Sequence, residues 1–162
     1  MSENMQQTLY DRDFYAWIYH NIELVRAGKW EEIDKDLLIE ELESMARRDK
    51  HELVNHLIIL LAHLLKWQFQ LQQLANYWDS WQGGSWQASI VEQRKQIARQ
   101  LEMSPSLKPY LTEAIKKAYP DAVDVAVKET KLESSIFPEV CSYTIEQILD
   151  DNFYPEEQES LG

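Results

Sequence analysis

Four residues in one stretch of the chain carry its most obvious chemistry: Asp49, Glu52, His56 and His63. Successive spacings of 3, 4 and 7 residues place them along one side of a helix. Asp49, Glu52 and His56 offer oxygen and nitrogen donors of the kind helical bundles present to a divalent metal when a facing helix completes the set. His63 lies about 10 Å further along such a helix and shares no site with them. The pattern departs from the usual helical metal signatures. Glu52 and His56 are four apart, so there is no Glu-x-x-His pair, and no His-Glu-x-x-His occurs. Asp49, Glu52 and His56 therefore stand as the candidate metal set against a plainer reading. In that reading the apolar face of the helix rotates after Met45 and leaves them at its wet margin.

A second group joins Glu40, Glu41 and Glu43 with Arg47 and Arg48. Glu40 and Glu43 are the right types for a paired acid and base. Glu43 and Arg47, four apart in the favourable order, read more simply as ion pairs on a solvated face. Trp78, Trp81 and Trp86, with Trp67 and Tyr77, bracket the Gly83-Gly84 loop and form a candidate surface for a ligand or partner. The plainer alternative is a satellite core over the end of a long helix. Arg94, Lys95, Arg99, Lys116 and Lys117 make the locally basic region. Charge with stacking on Trp86 would suit a single nucleic-acid strand, but docking on acidic segments of the same chain fits the composition better. Cys141 has acidic neighbours and no histidine after it, so it reads as packing rather than as a nucleophile.

The composition sharpens these choices. The 162 residues carry a formal charge of −12. It is spread as −5 over residues 1–66, +2 over 67–117 and −9 over 118–162. Such acidity opposes a phosphate backbone, so nucleic-acid binding is disfavoured. One cysteine excludes an internal disulfide, the first residues lack the pattern of a signal peptide, and the apolar run Leu57–Leu65 is interrupted by His63. The expectation is a cytoplasmic protein that does not enter the membrane. No nucleotide-binding loop, nucleophile elbow or metal-binding cysteine pair is present, so no cofactor is expected.

Positioning these residues falls to helices. Apolar spacing predicts one from Asp11 to Ala27, ended by Gly28, and a long one from Asp34 to about Gln70. A third is expected from Ser85 to Met103, and a fourth from about Ser106 to Tyr119. Pro120-Asp121 then reads as a stop and a new cap for a helix to Thr130, with a short turn at Thr144–Leu149. The fold class is all-α: a bundle organised around one long central helix, with shorter C-terminal helices. Residues 1–8 are expected to be disordered, 9–155 to form one domain, and 156–162 to be an acidic disordered tail.

Several stretches carry a family likeness: Tyr10-Asp11-Arg12-Asp13-Phe14-Tyr15-Ala16-Trp17, Leu38-Ile39-Glu40-Glu41-Leu42-Glu43-Ser44-Met45 and Leu61-Ala62-His63-Leu64-Leu65-Lys66-Trp67-Gln68. It continues through Ser85-Trp86, Gln93-Arg94, Ser104-Pro105-Ser106-Leu107, Tyr119-Pro120-Asp121-Ala122, Glu129-Thr130 and Phe137-Pro138-Glu139. From about Leu9 to Pro155 the chain resembles the bacterial domain-of-unknown-function-29 family, departing from it in a longer aromatic stretch around Tyr77–Trp81. The resemblance implies a small all-helical protein. It carries over no activity and no catalytic residue, so an enzyme is not the favoured reading. The favoured one is a protein–protein interaction module, with a protein partner or self-association as homodimer. The alternative is a metal- or small-ligand-binding bundle, hydrolytic in one form, centred on Asp49, Glu52 and His56.

Overall fold

The computed structural model describes residues 3–70 and 81–156, with side chains placed for 5–70 and 84–156. Its elements are helices, with no strand among the described residues. Contacts group the chain into two compact units, residues 1–49 and 50–162. One helix, α3 (Lys35–Phe69), runs through both. It is the unbroken rod that the leucine spacing predicts, about 50 Å long. Asp34 caps it by accepting the Leu37 N–H at 3.1 Å. Asp36 in its first turn and Lys66 in its last complement the helix dipole.

In the first unit, α1 (Glu3–Arg12) and α2 (Phe14–Arg26) pack together and precede a 3₁₀ turn at Trp30–Glu32 and the start of α3. The expected single helix from Asp11 is thus two helices, and α1 takes in residues 3–8. The break falls at Asp13 because its carboxylate turns back to accept the Ala16 N–H at 3.0 Å, capping α2 in place of Asp11. Gln6, within the stretch expected to be disordered, is 1% exposed. It donates to the Glu32 carbonyl at 3.0 Å and accepts from Asn21 at 3.5 Å, which ties α1 down. Gly28, at φ 68°, turns the chain into the left-handed conformation after α2, as its position predicts. His20 is half-buried, with Nε2 shielded from water and unpartnered.

The second unit holds the main core. Leu53, Leu57, Leu60, Leu61 and Leu64 of α3 are fully buried with Ile90 and Ile97 of α4 (Trp81–Met103). A 3₁₀ stretch, Pro105–Tyr110, leads into α5 (Leu111–Thr130). Here the expected stop at Pro120 is absent, and one helix runs through it. An internal proline costs about 3 kcal/mol. It is offset by a continuous buried face on α5, Ala114, Ile115, Ala118, Tyr119, Ala122 and Ala126. Pro120 itself is exposed, and the carbonyl it leaves without a donor belongs to exposed Lys116, where water can serve it.

The segment after Thr130 packs. Phe137, Tyr143 and Ile148 are buried, and a capping box between Thr144 and Gln147 starts α6 (Ile145–Leu149). Arg94, 2% exposed, holds this end. Its Nε donates to the Ile148 carbonyl at 2.8 Å, and Nη2 donates to those of Phe153 at 2.8 Å and Gln147 at 3.2 Å. The guanidinium also lies 5.5 Å from the Tyr154 ring centroid. Arg94 of the locally basic region is therefore an internal tie to the acidic C-terminal segment, in line with docking within the same chain. Lys66, also buried, pairs its ammonium with Glu129, and desolvation holds that ammonium below its usual range.

Arg94→Ala leaves three carbonyls without their donor, each worth about 1–3 kcal/mol if buried. The expected loss in stability is about 3 kcal/mol, against about 1 kcal/mol for Thr144→Ala, which removes one helix cap. Urea unfolding followed by circular dichroism ranks the two; equal losses would contradict the role given to Arg94.

Candidate functional site

The first unit carries an open trough of about 750 Å³ between α2 and the start of α3. One wall is Phe14, Ile18, Ile22 and Val25 of α2, and the other is Leu38, Leu42 and Met45 of α3. Both rows follow three- and four-residue spacing, so each helix presents one apolar stripe. Ile33, Trp17 and Asn21 also line the trough, with Arg26, Glu41 and Arg48 as its charged members.

An aromatic knot fixes one part of this trough. Tyr10 meets Phe14 and Trp17 edge-on at 5.4 and 5.0 Å between ring centroids, and Phe14 stacks on Trp17 at 5.9 Å. The Tyr10 hydroxyl donates to Glu41 Oε2 at 3.0 Å. Arg48 Nη2 donates to Glu41 Oε1 at 3.2 Å. Glu41 is thus held through both oxygens, and its side chain is only 16% exposed. That hydrogen bond also holds the Tyr10 phenol above its ordinary range. With both oxygens occupied, Glu41 acts as an anchor for two helices rather than as a free base. Glu40 and Glu43, the acid–base pair weighed from sequence, are exposed, and Glu43 lies 3.9 Å from Arg47. Sequence reasoning grouped Glu41 with these two. The available signal was its place beside Leu38, Leu42 and Met45 on the apolar stripe.

The stretches Tyr10–Trp17 and Leu38–Met45, far apart in sequence, together supply the Tyr10–Glu41 bond, the α3 wall and Phe14 of the α2 wall. A family model described as domain of unknown function DUF29 matches residues 9–154. The chain belongs to the DUF29 family. Among curated proteins and among solved structures, nothing matches it.

In this DUF29 protein the candidate metal set is not assembled. Among the described residues, no three His, Cys, Asp or Glu side chains are grouped to hold a metal ion. Asp49 closes the first unit, while Glu52 and His56 belong to the second. His56 Nδ1 lies 2.7 Å from Gln93 Oε1 of α4, and its Nε2 is 3.6 Å from Glu52. The facing helix thus offers His56 a side-chain amide where a metal site would need a further carboxylate or imidazole. His63 turns onto its own helix, with Nδ1 2.8 Å from the Ile59 carbonyl. Burial holds its imidazole below the usual range, with the Lys66 charge adding to the effect and the Ile59 contact opposing it.

Of the aromatic candidates, Trp78 lies outside the described residues, as does the side chain of Trp81, the first residue of α4. Trp86 is half-buried on α4. Trp67 sits against Tyr154 at 4.7 Å, and Phe153 meets Tyr143 at 6.0 Å, so the aromatics of the acidic end are packed rather than presented. Burial raises the Cys141 thiol above its usual range, and Sγ is 3.7 Å from the Tyr143 carbonyl, which fits packing. No described helix is long and apolar enough to cross a membrane.

Two measurements follow from this geometry. Glu41→Ala lowers the melting temperature more than Glu40→Ala or Glu43→Ala, because only Glu41 joins α1 to α3; equal shifts would remove its anchoring role. His63 is expected to destabilise the fold at low pH. Its folded pKa lies below its unfolded value of about 6.5, so between the two the unfolded chain binds more protons. The stability of wild type relative to His63→Gln is then constant well above pH 6.5 and falls as pH drops through about 6.5. Urea titrations at several pH values read that difference, and a flat one would count against the buried imidazole.

Proposed function

We propose that this DUF29 protein is a protein–protein interaction module and that the trough on its first unit receives a helical surface of another polypeptide chain. The single observation that carries this reading is the imbalance of the first unit. Among its described residues four hydrophobic side chains are buried, Trp17, Leu24, Ile33 and Leu37, while nine large ones are exposed. In the second unit the figures are 21 buried and five exposed. The first unit thus keeps more large apolar groups in water than it buries. Four of the nine, Phe14, Val25, Leu42 and Met45, line the trough, and contiguous exposed apolar groups mark interaction sites.

The energetics agree. Burying a large aliphatic or aromatic side chain is worth roughly 1.5–3 kcal/mol when it starts fully exposed. Seven partly exposed wall residues therefore offer on the order of 10 kcal/mol, comparable with the estimated cost of association, about 4–15 kcal/mol. Paired walls at helical spacing suit an amphipathic helix or helix pair. We place this work in the cytoplasm, a reading supported by a single cysteine with no second one to pair with.

A photoreactive phenylalanine analogue at Leu42, in the native cell, tests the assignment against the same group at Val91, an exposed position in the second unit. The expected result is a discrete protein adduct from position 42 that Met45→Glu abolishes. Equal labelling from both positions, or none from 42, would remove the trough as the working surface.

A further inference from the structure

We propose that the occupant of the trough is a second copy of this chain, the two first units meeting face to face about a two-fold axis. This rests on the interaction reading above and names its partner. The first support is the placement of charge. Residues 1–49 hold six Lys or Arg against twelve Asp or Glu, so two copies repel wherever acidic surface meets acidic surface. The trough face is cleared of most of those acids. At about 100° per residue, Glu40 and Glu43 fall about 100° or more from the stripe of Leu38, Leu42 and Met45, and Glu23 lies as far from that of α2. Glu41, inside the face, is neutralised by Arg48 and bonded to Tyr10, and Asp49 stands at its end. A basic partner would be drawn to the acidic faces. An acid-poor apolar face on an acidic protein is where like can meet like.

The second support is size. α2, with 13 residues, is about 20 Å long, and two packed helices are about 20 Å across. With its side-chain relief this face is of the order of the 800 Å² or so that each partner gives to a standard interface. A single docked helix would fill the trough but leave its crests bare. Tyr15 and Tyr19 of α2 and Ile39 of α3 are 71%, 52% and 52% exposed. A second pair of helices covers trough and crests together, and a two-fold arrangement makes every such contact twice.

Sedimentation equilibrium of the full chain, over a range of micromolar concentrations, tests this. Wild type is expected to dimerise, and Leu42→Glu to weaken the dimer at least about a hundredfold, since two carboxylates must lose water and face each other. Circular dichroism checks the fold of the variant; should it unfold, Tyr19→Glu on the exposed crest replaces it with the same expected direction. A dimer untouched by a folded crest or trough variant would overturn the proposal. So would a monomeric wild type. A monomer whose Leu42 position still labels a different protein leaves the interaction reading standing, whereas a monomer with no adduct removes both.

Discussion

One continuous helix, α3, must keep its backbone hydrogen bonds from Lys35 to Phe69 while serving two units with different apolar content. Its second half places a leucine inward at almost every available position, and the resulting core buries α4, α5 and the C-terminal segment against it. Its first half offers Leu37 as its one buried hydrophobic residue; Leu38, Leu42 and Met45 face the trough instead. Along this helix the change from one unit to the next is a change of side chains, since the helix itself is continuous from Lys35 to Phe69. The contrast between the units is therefore written along a single element.

Where apolar material is scarce, buried polar contacts take over. Gln6 and Asn21 form the interior of the first unit with Trp17, and the Asn21 amide donates to the Trp17 carbonyl at 2.8 Å. Trp17 Nε1, His20 Nε2 and Asn21 Oδ1 are shielded from water without partners, each at a cost in stability. In the second unit Lys66 is buried against Glu129 and Arg94 has acceptors for Nε and Nη2, though its Nη1 is shielded without a partner, and the Tyr119 hydroxyl donates to the Pro138 carbonyl at 2.6 Å, its pKa pushed up to about 12 by burial. Such contacts add less net energy than leucines do, but they fix which segment lies on which.

The same contacts explain what could be read in the sequence. α3 was legible because leucines recur at helical spacing and Asp34 precedes them, and the short turn at Thr144–Leu149 falls where it was expected. Pro120 misleads because proline followed by aspartate imitates a stop and a start, whereas the alanine-rich face that carries the helix onward has low hydrophobicity. Asp11 and Asp13 are equally good caps by type, and only the fold of the backbone selects the second. Gln6 is polar, and a hydrophobic pattern assigns such a residue to the surface. Glu41 differs from Glu40 and Glu43 through Tyr10, 31 residues away, a distance that local spacing does not span.

The Arg94 tie has a consequence for biosynthesis. Its acceptors lie 53 to 59 residues downstream, so during translation α4 emerges with a guanidinium that has nowhere to be buried. Until Phe153 has been delivered, that cation lacks its full set of carbonyl acceptors. The second unit can lock in this way only after residues 147–153 have been delivered, and products terminated before Ile145 cannot do so at all.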